Sequence, residues 1–128
     1  MFMILDTSRV TFEVVRGDTL CLPLKLNSST RERPEEYRLQ GNDKLYVGIT
    51  FPGQAFEDAT IRVTLDRNSP RDNFGNTLLQ LSSEATQCLE PGKYYISIKF
   101  VSGRNVNTLL DQKLFFVTGT PSKGCAHA

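Results

Sequence analysis

The sequence predicts an all-β sandwich. Short runs with an apolar residue at every second position recur at regular spacing, and turn signals built from Gly, Pro, Asn and Asp separate them. The clearest run is Gly92-Lys93-Tyr94-Tyr95-Ile96-Ser97-Ile98-Lys99-Phe100, where Tyr94, Ile96, Ile98 and Phe100 share one face. Lys93, Tyr95, Ser97 and Lys99 share the other. A strand patterned in this way is half buried, so an apolar layer must cover it.

Taken in order, Met1 to Ser8 reads as an apolar arm, Val10 to Val117 as the strands of a domain over 9–118, and Gly119 to Ala128 as a small, polar tail. The first strand runs from Val10 to Val15, with Val10, Phe12 and Val14 on one face. Arg16-Gly17-Asp18 turns the chain into a second strand, Thr19 to Leu26, whose core face is Leu20, Leu22, Leu24 and Leu26. Pro23 has no N–H to give a ladder, so this strand needs an edge or a bulge there. Asn27 to Asn42 is expected to be a long polar loop and the first candidate contact surface. Leu45 to Phe51 forms a third strand with Leu45, Val47, Ile49 and Phe51 aligned. Pro52-Gly53-Gln54 turns, and Thr60 to Leu65 forms a fourth. Asp66 to Asn76 is a second long loop, followed by a short strand at Thr77 to Leu81.

Ser82 to Cys88 has a capping Ser and helix-favouring Glu, Ala and Gln, which suits one helical turn crossing between sheets. Pro91 and Gly92 then make a tight turn into the Tyr94 strand. The Gly-x-Tyr order there resembles the tyrosine corner of immunoglobulin-like sandwiches, whose Tyr bonds back to upstream backbone. The plainer alternative is a hairpin strand with a buried Tyr. The expected fold is therefore an immunoglobulin-like antiparallel β-sandwich with one short helical turn. Ser102 to Asn105 closes a hairpin, and the last strand is expected to pack Leu114, Phe115 and Phe116 inward, with Leu109 and Leu110.

A chain of 128 residues with net charge +1 is one domain with a proper core and no strong field toward nucleic acid. No apolar run reaches membrane-spanning length, so neither nucleic acid nor membrane is an expected partner. Met1-Phe2-Met3-Ile4-Leu5-Asp6 turns polar too early for a signal peptide, which implies synthesis in a cytoplasm. Cys21, Cys88 and Cys125 are odd in number and lack metal-site spacing. Ile96 stands where a sandwich disulfide would need its second Cys, so all three read as free thiols. The sequon at Asn27-Ser28-Ser29 has no meaning without export.

Catalytic chemistry has little to build on. The one histidine, His127, lies in the tail, and no nucleophile–base set assembles around it. Asp66 to Asn73 carries the carboxylates of a calcium loop but lacks its Gly and terminal Glu. Glu35-Glu36 and Glu57-Asp58 are adjacent pairs that diverge on a strand and make poor acid–base dyads. Arg16-Gly17-Asp18 spells the integrin tripeptide, but strands flank it closely, which favours a structural turn. No catalytic, cofactor-binding or metal residue is assigned.

Four short motifs carry a family resemblance. They are Arg16-Gly17-Asp18-Thr19, Asp43-Lys44-Leu45-Tyr46-Val47, Glu84-Ala85-Thr86 ahead of Leu89-Glu90-Pro91-Gly92-Lys93-Tyr94-Tyr95, and Val106-Asn107-Thr108-Leu109. In this order they resemble small structural proteins of tailed bacteriophages and prophages, in particular the N-terminal domain of baseplate upper proteins. The resemblance implies a non-enzymatic virion protein, in tail, baseplate or capsid, that associates with itself and with other virion proteins. Candidate assembly contacts are Phe2, Ile4, Leu5, Arg31, Arg33, Tyr37 and Phe74. The apolar arm is expected to add to a neighbouring subunit's sheet edge, the alternative being a strand on its own sandwich. The rival function is a carbohydrate-binding sandwich module, for which Tyr37 and Phe74 are the loop aromatics on offer.

Overall fold

Alternation along the chain becomes two sheets packed face to face. In a computed structural model, whose described residues are 2–8, 10–29 and 34–119, the strands are β1 (Phe2–Asp6), β2 (Glu13–Val15), β3 (Leu20–Ser29), β4 (Pro34–Tyr37), β5 (Lys44–Thr50), β6 (Ile61–Leu65), β7 (Thr77–Leu81), β8 (Gly92–Ser102) and β9 (Asn105–Thr118). One sheet orders β2-β9-β8-β5-β6. The other pairs β1, β4 and β7 with β3, β7 against Leu20 to Leu24 and β4 against Leu26 to Ser29. The run β9-β8-β5-β6 has the G-F-C-C′ order of an immunoglobulin variable-type sheet. The pairing is not wholly antiparallel: β2 runs parallel to β9, with Val14 beside Val117.

The core lies between the sheets. Tyr94, Ile96, Ile98 and Phe100 of β8 meet Leu45, Val47 and Ile49 of β5 and Leu22, Leu24 and Leu26 of β3, all buried. Each such side chain contributes about 1.5–3 kcal/mol before the cost of ordering it. The Tyr94 hydroxyl, at the core's edge, donates to Glu90 O at 2.8 Å, which completes a tyrosine corner. Burial, with the Glu90 carboxylate nearby, raises the Tyr94 phenol above its ordinary pKa. The expected helical turn is α1 (Ser83–Gln87), capped where Ser82 Oγ accepts from Ala85 N at 3.2 Å. It carries the chain from β7 in one sheet to β8 in the other.

Four expectations need correction. Phe2 to Asp6 is not an intersubunit arm but a strand paired antiparallel with β3, Leu5 against Leu26. Burying Met3 and Leu5 in the chain's own core is available at no cost in association, so the nearby β3 edge wins. The loop expected from Asn27 to Asn42 is partly a hairpin, since β3 extends to Ser29 and β4 returns from Pro34. Backbone ladders carry this pair, so its polar side chains gave no period to read. Phe51 ends its alternation 48% exposed, its ring tilted 38° against that of Tyr94 with centroids 5.2 Å apart. In β9, Phe115 and Val117 point inward while Leu114 and Phe116 point out. Pairing with β8 decides this, since Phe115 lies opposite the buried Tyr94; further along, the register shifts twice around Ile98, and there Gln112 sits at φ +53° with its N–H donated to Ser97 Oγ at 3.0 Å.

Candidate functional site

The expected contact residues do not gather in one place. Ile4 is 42% exposed on β1, whereas Leu5 is buried. Phe2 is placed by its backbone in β1 alone, and its side chain lies outside the described residues. Arg31 and Arg33 also lie outside them, as do Cys125 and His127. Tyr37 is a structural plug: its ring stands edge-on to Phe100 at 5.9 Å and its hydroxyl donates to Asp43 Oδ2. Burial and that bond raise its phenol above the ordinary value. Phe74, by contrast, is 77% exposed.

The Arg16-Gly17-Asp18 triplet is committed to structure. Asp18 N donates to Val15 O at 2.9 Å and Gly17 takes φ +88°, which makes a tight turn. The Arg16 side chain is 2% exposed, with Nε donating to Gln87 O at 2.9 Å and Nη2 3.4 Å from Glu90 Oε1. Thr86, fully buried, donates to Asp18 O at 2.7 Å and accepts from Gly17 N at 3.1 Å. The guanidinium is therefore turned away from any receptor.

Two surfaces remain as candidates. The first is the outer face of the five-stranded sheet. Outward positions alternate with the core positions, so Val15 on β2, Phe116 and Leu114 on β9 and Tyr95 on β8 fall side by side, Glu13 pairing Phe116 and Leu114 pairing Tyr95. Val15, Leu114 and Phe116 are 50%, 40% and 38% exposed. Further along, the Phe56 ring lies on Gly48, where a Cβ would come within 2.9 Å of it, and Lys99 Nζ stands 4.6 Å above the ring. Tyr46, 38% exposed, continues the line toward the β6 edge. The result is an apolar stripe crossing the sheet, flanked by Lys93, Lys99 and Arg62. Sequence reasoning missed it because Leu114 to Val117 is apolar at every position, so alternation does not say which pair faces out.

The second is a cleft of about 500 Å³ on the outside of the other sheet, floored by β3 and bordered by Asp6, Glu36, Asp72, Phe74 and Asn76. Among the described residues no group of three or more His, Cys, Asp or Glu side chains is arranged to hold a metal ion, and no helix is long and apolar enough to cross a membrane. Neither Cys21 nor Cys88 forms a disulfide, and both are exposed. No protein-family model matches the chain, and no curated protein matches it.

Proposed function

We propose that this chain is a non-enzymatic assembly protein that docks on another protein through the outer face of its five-stranded sheet. The observation that carries this is the stripe of Val15, Phe116, Leu114 and Tyr95, apolar and partly exposed on a sheet whose other face already forms the core. Leaving such residues in water is unfavourable at roughly 25 cal/mol per Å², and covering them with a partner recovers that energy. Aromatic and aliphatic anchors at the centre with Lys and Arg at the rim are the anatomy of a protein interface. On its resemblance to tailed-phage structural proteins, the particle is a virion and the partners are other virion proteins and further copies of this chain. A cationic rim favours an acidic border on the partner.

Mass spectrometry of separated phage heads and tails tests the setting: the protein is expected in one of the two fractions, and its absence from both overturns the virion reading. Light scattering tests the surface. The pair Leu114→Glu with Phe116→Glu is expected to abolish self-association or co-assembly while leaving the melting temperature nearly unchanged, since both side chains are outside the core. Unaltered assembly by that variant removes the sheet face from the argument.

A further inference from the structure

The cleft outside the four-stranded sheet is built differently from the stripe, and its chemistry points to another ligand. Its one aromatic group is Phe74, and with Val10 and Pro23 it shares the lining with six polar or charged side chains. Lys25 lies on its floor with Nζ 4.0 Å from Glu36 Oε1, and Asp6 stands opposite Lys25 in the β1–β3 ladder. Ser8 Oγ donates to Asp6 Oδ1 at 2.7 Å, and the Asn76 amide donates to Asp72 Oδ2 at 3.2 Å. Donors and acceptors are therefore interleaved. A cationic ligand would meet Lys25, and an anionic one would meet Glu36 and Asp6. A hydroxyl donates and accepts at once, so a polyhydroxylated ligand satisfies both kinds of group. Its volume is also in the range of small-ligand pockets.

Phe74 is held out from the surface by a fixed loop. Asp72 Oδ1 accepts from Phe74 N at 2.9 Å and from Asn76 N at 2.8 Å. Asp72 N donates to Asn76 O at 2.9 Å, and Gly75 N donates to Asp72 O at 3.1 Å. Arg38 Nη2 donates to Phe74 O at 2.8 Å. An exposed aromatic normally costs solvation energy, and a loop bonded from three sides pays no further ordering cost when a ligand arrives. The negative face of the ring suits the weakly positive C–H face of a sugar. A protein interface core, by contrast, is broad and depleted of charge, unlike this cleft.

We propose that this cleft binds a neutral saccharide, one sugar ring stacked on Phe74 and its hydroxyls bonded to Lys25 and Glu36. The proposal goes beyond the assembly function and uses the opposite side of the sandwich. The test is titration of the full chain with a panel of neutral oligosaccharides built from glucose, galactose, mannose and N-acetylglucosamine, followed by amide chemical shifts. At least one is expected to give saturable shifts centred on residues 72–76, Lys25 and Glu36. Phe74→Ala is expected to bind that sugar about tenfold more weakly or worse, with Phe74→Tyr retaining it. Leu114→Glu is expected to bind it normally, which separates this site from the assembly face. Absence of saturable shifts with every member of the panel, or equal binding by a folded Phe74→Ala, overturns the proposal.

Discussion

The turn at Gly17 and the turn at Gly75 place their glycines at nearly the same positive φ, +88° and +84°. Each sets a guanidinium on a backbone carbonyl, Arg16 on Gln87 and Arg38 on Phe74. Each also uses one oxygen-bearing side chain, Thr86 or Asp72, to tie two backbone groups of the turn. The outcomes are opposite. At the first turn Arg16 is buried and the hardware clamps β2, α1 and the tyrosine corner together. At the second Arg38 and Phe74 are exposed and the same hardware holds a ring in solvent. The local turn chemistry is thus shared, and what decides between a structural and a binding role is where the neighbouring apolar group ends up.

Paired substitutions can break this contrast. Arg16→Ala is expected to cost about 2–3 kcal/mol, because it removes a charge-assisted bond at a buried site and leaves Gln87 O without that donor. Arg38→Ala is expected to cost less than about 1 kcal/mol, being exposed. Urea unfolding of both reads the difference, and equal losses would mean the second turn is structural after all. Gly17→Ala and Gly75→Ala should each cost about 1–2 kcal/mol from left-handed strain. Only the second should also move the Phe74 resonances, because its new methyl group runs into the Arg38 guanidinium. Tyr94→Phe is expected to lose about 1 kcal/mol, the net worth of one hydrogen bond. Phe74→Ala should stay within about 0.5 kcal/mol of the parent.

The smallest effect is on pH. Burial opposes ionisation of Asp72, but the donors from Asn76, Phe74 and Gly75 outweigh it and hold the carboxyl below the usual aspartate value. The charged form is the folded form, so the loop keeps its full support above that usual value and loses it as pH falls through the lowered one. Amide shifts of residues 74–76 are expected to stay level through the ordinary carboxylate range and to move only below it. Movement centred at the ordinary value would show that the loop bonds contribute nothing to it.

Much of this was written in the sequence where one face is buried. Leu20, Leu22, Leu24 and Leu26 and the four apolar residues of β8 alternate without interruption, and all are in the core. Three features escaped for physical reasons. Met1 to Leu5 is apolar at every position, so nothing in its pattern says which side faces in or which edge it will choose. The β4 strand is held by main-chain bonds that any side chains would permit. In β9 the run Leu114 to Val117 is apolar at every position, and only the pairing of Phe115 with the buried Tyr94 decides which half faces in. The same pairing sets Leu114 opposite the outward Tyr95 and leaves Leu114 and Phe116 on the surface. Phe74 was legible as a loop aromatic, but its cleft was not, since Asp6, Lys25 and Glu36 come from three different strands.

The parallel contact of β2 with β9 has a consequence for synthesis. Glu13 is made about 100 residues before its partner Phe116. While the ribosome is at work, β2 has no ladder, and the Arg16 amide lacks the Thr118 carbonyl that accepts from it at 2.8 Å. The central strand β8 likewise waits for β9 on one side. Early segments can pair β1 with β3 as they emerge, yet the five-stranded sheet closes only when residues near 118 have cleared the exit tunnel. Folding is thus timed by the last strand, and sequence-distant closure of this kind makes it slow compared with a helical chain of similar length. Until then the future core faces of β5 and β8 stand open, which makes nascent chains the form of this protein most in need of a chaperone.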